Sequence, residues 1–377
     1  MRWRFMIWLY LCLTVPSLAQ VHKYFGWPGV AAYLAITALA LWLLRRLQVP
    51  GEIAKRITDS QGRWLSAAVL LVVLIAFIGL YPVAHSGVYG PGSDSADSLN
   101  VAVREMLHGR YPYYARTYLG NPVHEMPGML LLATPFVLLG NSAYMNLFWL
   151  ALFLLVCREE LGDARQALLL FVAMLVFCPV VMQQVVTGGD QLANGLFTMV
   201  LLWWMTRRDQ PIAAVLFGVA LSSRANFLLL VPLAFGHLLR EYGGKRAVRD
   251  LAIAAATFVL VTLPFYFHDP ENFTPLWAAN RLTRFDEIVP HLGAAIGAAG
   301  LLLTIWLAVR GGSLLANCVF VQGFFVIVGA VLSRDLFYAS YGVFFLFFGL
   351  AAFWKQSVGN TGMAHRPSQA VAWQHAG

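Results

Sequence analysis

A chain of 377 residues that is 59% hydrophobic and 12% charged, with a mean hydropathy of +0.68, has too few charges to solvate a folded surface of its size. That excludes the ordinary soluble classes and leaves an all-α polytopic membrane protein, in which each span satisfies its own backbone hydrogen bonds. The net charge of +8 would suggest nucleic acid in a soluble protein, but its placement along the chain has a simpler cause, given below.

The chain opens MRWRFMIWLYLCLTVPSLAQ, with a basic start, an apolar run and Ser17-Leu18-Ala19, a pattern shared with cleaved leaders. Read as an uncleaved first span, it gives a consistent topology for everything after it. A span needs roughly 20 apolar residues and at least about 17. Runs of that kind lie near 5–20, 28–46, 64–83, 141–157, 167–186, 191–206, 251–267, 292–309, 313–333 and 336–354. Residues 212–239 add a hairpin of two short helices, 212–223 and 226–239, broken at Ser222-Ser223-Arg224-Ala225-Asn226. The expectation is about twelve helices with both termini on one side. Residues 127–139, PGMLLLATPFVLL, are apolar but short and contain Pro135, so they are expected as a re-entrant or interfacial helix that does not cross.

With the N-terminus in the cytoplasm, the inner connectors hold 18 of the 26 Lys and Arg, the outer segments hold 7, and Arg224 is left in the hairpin. The acids divide the other way, 8 inside and 10 outside. This is the positive-inside pattern, so the basic excess reports topology rather than nucleic-acid binding. Three regions follow: 1–63 as an N-terminal two-helix hairpin with its cytoplasmic connector, 64–354 as the main transmembrane domain with an outer loop at 84–140, and 355–377 as a polar cytoplasmic tail. The four cysteines, Cys12, Cys157, Cys178 and Cys318, lie far apart within or at the ends of apolar runs, with no CxxC, zinc spacing or disulfide framework.

The longest polar interruption is 87–128, GVYGPGSDSADSLNVAVREMLHGRYPYYARTYLGNPVHEMPG. Asp94 and Asp97 follow Gly90-Pro91-Gly92 and precede an amphipathic run, Ser98 to Leu107, with Leu99, Val103, Met106 and Leu107 on one face. An acid there is either a helix N-cap or a carboxylate that takes a proton from an attacking hydroxyl. His124 and Glu125 stand just before Pro127; as an interfacial pair they are ordinary, and with the two aspartates they leave room for a divalent metal ion, although the spacing matches no metal motif. Asp190 opens the 191–206 span, as an N-cap or as an acid facing a cavity. Arg224 in a membrane hairpin calls for an anion or water. Arg334, with Tyr338 and Tyr341 after it, stands on the outer side with Arg281 and Arg284, either paired to nearby acids or placed for a phosphate.

Gly92-Ser93-Asp94, Asn100-Val101-Ala102, Arg104-Glu105-Met106-Leu107, Gly109, Tyr111-Pro112-Tyr113 and Met126-Pro127-Gly128 together resemble the first outer loop of GT-C superfamily glycosyltransferases, such as protein mannosyltransferases, lipid A aminoarabinose transferases and polyprenol-dependent mannosyltransferases. Pro179, then Asp190 opening the next span, also looks like their second outer loop, and Arg224 and the segment from Arg334 to Tyr338 look like their basic positions. Many members have paired acids where this chain has Asp94-Ser95, and a Tyr where it has Ser98. The resemblance implies transfer of a sugar from a polyprenyl-phosphate carrier to a hydroxyl of a lipid, glycan or protein, on the outer face of a bacterial inner membrane. It carries the base onto Asp94 and matches Asp190, Arg224, Arg334 and Tyr338 to substrate-binding positions; Asp97 beside the base, and Glu125 and His124 as further substrate-binding residues, are added from their place in the loop. The competing reading is a transporter or lipid flippase that uses Asp190 and Arg224 within the membrane.

Overall fold

The computed structural model describes residues 2–47, 49–88, 93–276 and 280–358. Gly90-Pro91-Gly92, the side chain of Arg281 and the tail beyond 358 lie outside the described residues. The α-helices are α1 Arg2–Thr14, α2 Leu18–Arg46, α3 Val49–Arg56, α4 Asp59–Ala84, α5 Ser95–Leu107, α6 Pro127–Leu138, α7 Tyr144–Leu161, α8 Ala164–Phe177, α9 Pro179–Thr187, α10 Asp190–Arg207, α11 Pro211–Leu221, α12 Leu230–Tyr242, α13 Gly244–His268, α14 Leu292–Arg310, α15 Leu314–Ser333 and α16 Val343–Val358. Short 3-10 turns, among them 225–229, 280–287 and 336–342, join several of them. Among the described residues, six helical segments are long and apolar enough to cross a membrane, or up to seven if the bent pair α8 and α9 forms one span. The protein is an integral, multi-pass membrane protein.

The expected twelve helices are too few, because several expected spans are broken and short helices were not foreseen. The span expected at 167–186 bends by 82° between α8 and α9. Pro179 has no N–H to continue α8 and starts a new helix instead. The turn between α1 and α2 fills that break. The Ser17 hydroxyl accepts from the Val180 amide at 3.2 Å, and the Tyr33 hydroxyl donates to the Phe177 carbonyl at 2.7 Å. α2 is itself bent at Gly26, whose φ of 61° a residue with a Cβ rarely adopts.

α10 is the central column. From Leu192 to Leu202 every side chain is buried, which explains why an 18-residue helix with a charge at each end still belongs to the bundle: it meets protein rather than lipid. α16 packs along it, with Phe347 edge-on to Phe153 of α7 at 5.0 Å between ring centroids. α1 lies on the other flank of α16, with Leu9, Cys12 and Leu13 fully buried and Trp8 against Phe320 and Phe353. The helix at the start of the chain is thus part of the core.

The connectors sort to two ends, as the alternation of charge predicts. At one end, Arg207 and the Trp203 indole both donate to Glu160 at 2.6 Å, and Arg246 donates to the Met205 and Arg208 carbonyls. At the other end, residues 93–126, 188–190, 269–276, 280–287 and 334–342 come together. Tyr111 donates to the Phe265 and Asp269 carbonyls, Tyr114 donates to the Asp269 carboxylate at 2.8 Å, and the Thr274 hydroxyl donates to the Val123 carbonyl.

α6 has 12 residues, about 18 Å at 1.5 Å per residue, too short to cross. Its first turn is buried and its last residues, Leu138 and the following Leu139, are exposed. The Gly128 amide donates to the Ser222 carbonyl at 2.9 Å and its hydroxyl at 3.1 Å. The backbones meet so closely that a Cβ at Gly128 would sit 2.1 Å from the Val219 carbonyl oxygen. Gly128→Ala should therefore lower stability by about 1–3 kcal/mol, the range for overpacking. At an open helix position the same change would stabilise. Thermal unfolding of the purified protein in detergent reads the sign.

Candidate active site

The site grows from the ends of four elements. α9 closes at Gly188, in the left-handed region at φ 66°, with Ala96, Ala143 and Tyr81 packed against it. Asn146 of α7 donates to the Gln184 carbonyl at 3.2 Å and the Gly189 carbonyl at 3.0 Å. These contacts fix where α10 begins. Gly189 takes the N-cap position, so Asp190 is not the cap that its place in the sequence suggests. Its buried carboxylate accepts instead from the Arg224 guanidinium and from Asn194 Nδ2 at 3.3 Å. Arg224 precedes the 3-10 turn of the α11–α12 hairpin, with its charge over the Phe344 ring, 5.4 Å from the centroid. An ion pair and an aromatic face replace the water that the cation would otherwise need.

Glu125 lies beside this pair. Its Oε2 accepts from the Ser98 hydroxyl at 2.6 Å and the His124 amide at 3.1 Å, while Tyr113 donates to its backbone carbonyl at 3.0 Å. Burial, together with the nearby Asp190 carboxylate, pushes the Glu125 carboxyl up to about 7.

Asp94 and Asp97 stand at the start of α5. Asp94 occupies the N-cap position, but its side chain makes no capping bond. Its Oδ2 accepts from Thr117 and from Asn121 Nδ2, both at 2.8 Å, and Asp97 accepts from the Tyr118 amide at 2.8 Å. The tip they hold is a tight loop, closed by a Thr117 amide to Asn121 carbonyl bond at 2.9 Å and turned at Gly120, φ 80°. Both acids therefore have a side-chain role that a cap would not need. Both bonds to Asp94 fall on Oδ2, so its Oδ1 has no protein donor among the described residues.

Next to Arg224 opens a cavity of about 350 Å³. His124, Ser223, Arg224, Asn226, Gln322, Tyr338 and Tyr341 supply its polar groups, and Leu229, Val321, Phe325, Val326 and Phe344 most of its apolar wall. Tyr338 also accepts from Arg284 at 3.1 Å.

The structure thus brings Glu125, Asp190 and Arg224 into one network and puts His124, Arg224 and Tyr338 on one cavity. Asp94 and Asp97 belong to the same end but do not line the cavity. Arg334 does not join: it ends α15 exposed, in the left-handed region at φ 53°, away from the cavity lining. Among the described residues no three His, Cys, Asp or Glu side chains converge closely enough to hold a metal ion, so His124, Glu125 and the two aspartates do not assemble the divalent site their shared loop allowed. The sequence reading missed Thr117 and Asn121, whose only signal is a turn-rich stretch. It also missed Asn226 and Gln322; a glutamine inside the apolar run 313–333 is a signal that could have been read.

The raised Glu125 carboxyl has a pH consequence. Above its ordinary value of 4.5 the unfolded chain loses this proton while the folded chain keeps it up to about 7. Stability from this group is therefore full below the unfolded value and falls as pH rises through that window. The melting temperature of the wild type should fall relative to that of Glu125→Gln between pH 4.5 and 7, and the two should then run parallel. Parallel curves across the whole range would show that Glu125 titrates normally.

Residues 189–284 match the family model described as ALG3 protein. The matched stretch is about a quarter of the chain. It begins one residue before Asp190, contains Arg224 and ends at Arg284. No curated protein and no solved structure matches the chain. The match supports a polytopic membrane glycosyltransferase and does not single out a subfamily.

Proposed function

We infer that this protein is a membrane glycosyltransferase that moves a sugar from a polyprenyl-phosphate carrier to an acceptor hydroxyl on the outer face of the membrane. The observation that carries the reading is the placement of four acids and an arginine at one end of the bundle, at and beside an apolar cavity with aromatic walls. A lipid-linked sugar needs that combination: apolar wall for the isoprenoid, donors for phosphate and sugar, and a carboxylate for the acceptor. ALG3 is a membrane mannosyltransferase family, which makes mannose the first sugar to test.

The chemistry is an inverting displacement. The acceptor oxygen bonds to the anomeric carbon as the bond from that carbon to the phosphate oxygen breaks. The acceptor proton passes to a carboxylate, and the electron pair leaves on the polyprenyl phosphate. Asp94 is the carboxylate best placed for the proton, because Thr117 and Asn121 orient it through one oxygen and leave the other. Asp97 holds the loop tip beside it. Arg224, Arg284 and the Tyr338 hydroxyl are the groups placed to stabilise the departing phosphate, with Glu125 and Asp190 fixing Arg224 and the loop. The reading as a transporter or flippase rests on Asp190 and Arg224 as intramembrane sites; the long acidic loop, which that reading does not require, favours the transferase.

Transfer of radiolabelled mannose from short-chain polyprenyl-phosphate mannose, by membranes carrying the wild type or a variant, tests the reading. Wild-type membranes should transfer sugar. Asp94→Ala should reduce the rate by about 10²–10⁴-fold, the usual contribution of a positioned general base, and Asp97→Ala by less. Loss with Asp97→Ala alone would move the base to Asp97. No transfer from any such donor would overturn the enzyme reading.

A further inference from the structure

Gln322 is a polar residue in the middle of α15, which is long and apolar enough to span a membrane. Eleven residues separate it from the loop end of that helix, about 17 Å along the axis. It is buried, and its amide faces that of Asn226. Asn226 Nδ2 donates to Gln322 Oε1 at 3.2 Å. That single bond uses half of each amide. Gln322 Nε2 has no acceptor, although it is buried, and a buried donor without a partner is destabilising. On the other side of the pair the Asn226 carbonyl oxygen accepts from no described donor. Both residues line the cavity.

What remains is therefore one enclosed donor and one acceptor, both uncharged, on two residues that line the cavity. A phosphate oxygen only accepts, and an isoprenoid does neither. A hydroxyl both donates and accepts, so the hydroxyls of a sugar suit both groups. The terminal torsion of glutamine is soft, so a small rotation presents Nε2 to a ligand. The wall around the pair is aromatic and aliphatic, Phe325, Tyr341 and Phe344 among it, which suits the apolar faces of a pyranose ring. Arg224 lies on the same cavity, where the charged end of such a ligand would sit.

We propose that Gln322 and Asn226 form a hydroxyl-recognition site for the sugar of the lipid-linked donor, with Gln322 as a specificity-determining residue. The proposal rests on the glycosyltransferase reading above. Its test is binding rather than turnover. Affinities of the purified protein are measured for short-chain polyprenyl-phosphate mannose and for the same polyprenyl phosphate without sugar, in the wild type, Gln322→Leu and Gln322→Met. The methionine variant keeps the length of the side chain, should the leucine variant fail to fold. The wild type should bind the sugar-bearing lipid more tightly. The variants should lose about tenfold for that lipid, the scale of one hydrogen bond, and stay within about twofold for the sugar-free lipid. Equal affinities of variant and wild type for the sugar-bearing lipid would overturn the assignment of Gln322 alone. Weakening of both lipids alike would also overturn it, because the loss would then lie in the cavity wall. A wild type that binds neither lipid would overturn the donor reading together with this one.

Discussion

A charge inside a membrane protein must find a partner, and here Asp190 and Arg224 find each other. Asp190 is buried and Arg224 half-buried on the cavity wall; removing the partner of a buried charge costs about 3–5 kcal/mol. The pair joins the start of the central column α10 to the tip of the α11–α12 hairpin. The hairpin tip in turn receives the first turn of α6 through Gly128 and Ser222, and Ser222 shares a 2.8 Å bond with Thr262 of α13. One electrostatic requirement therefore fixes the position of the floor on which the polar loop rests.

The loop completes the arrangement. Glu125 faces the ion pair from the loop side and is held by Ser98 of α5, so the far end of the loop returns to the helix that begins it. Thr117 and Asn121 tie the loop tip to Asp94. Tyr111, Tyr114 and Thr274 dock the whole segment onto the loop after α13. The acids are thus fixed relative to the cavity by side-chain and backbone bonds on three sides. Such preorganisation is what a transfer reaction needs, since its charge must be met by groups already in place.

Much of this was readable from the residues because a bilayer imposes a length. Long apolar runs separated by short charged connectors translate directly into helices and ends, and the spans expected at 292–309 and 313–333 fall within one residue of α14 and α15. The loop at 87–128 announced itself by its polarity. Local breaks were harder. Pro179 was visible, but its 82° bend depends on Ser17 and Tyr33, more than 140 residues away, which cover the broken backbone. The pairing of Asp190 with Arg224 could not be read, because each residue has a local explanation and only the packing of α10 against the hairpin brings them together. The position of Arg334 could not be read either: the left-handed turn at the end of α15 leaves it exposed and outside the cavity lining.

The most direct test of this account is a double-mutant cycle on the ion pair. Unfolding free energies in detergent are measured for the wild type, Asp190→Asn, Arg224→Gln and the double variant. If the pair organises the site, each single change is costly and the double variant costs little more than the worse single one, so the coupling is close to the smaller single cost, about 3 kcal/mol. Single costs that simply add, within about 0.5 kcal/mol, would mean that the two residues are held independently and that the loop and hairpin depend on something else.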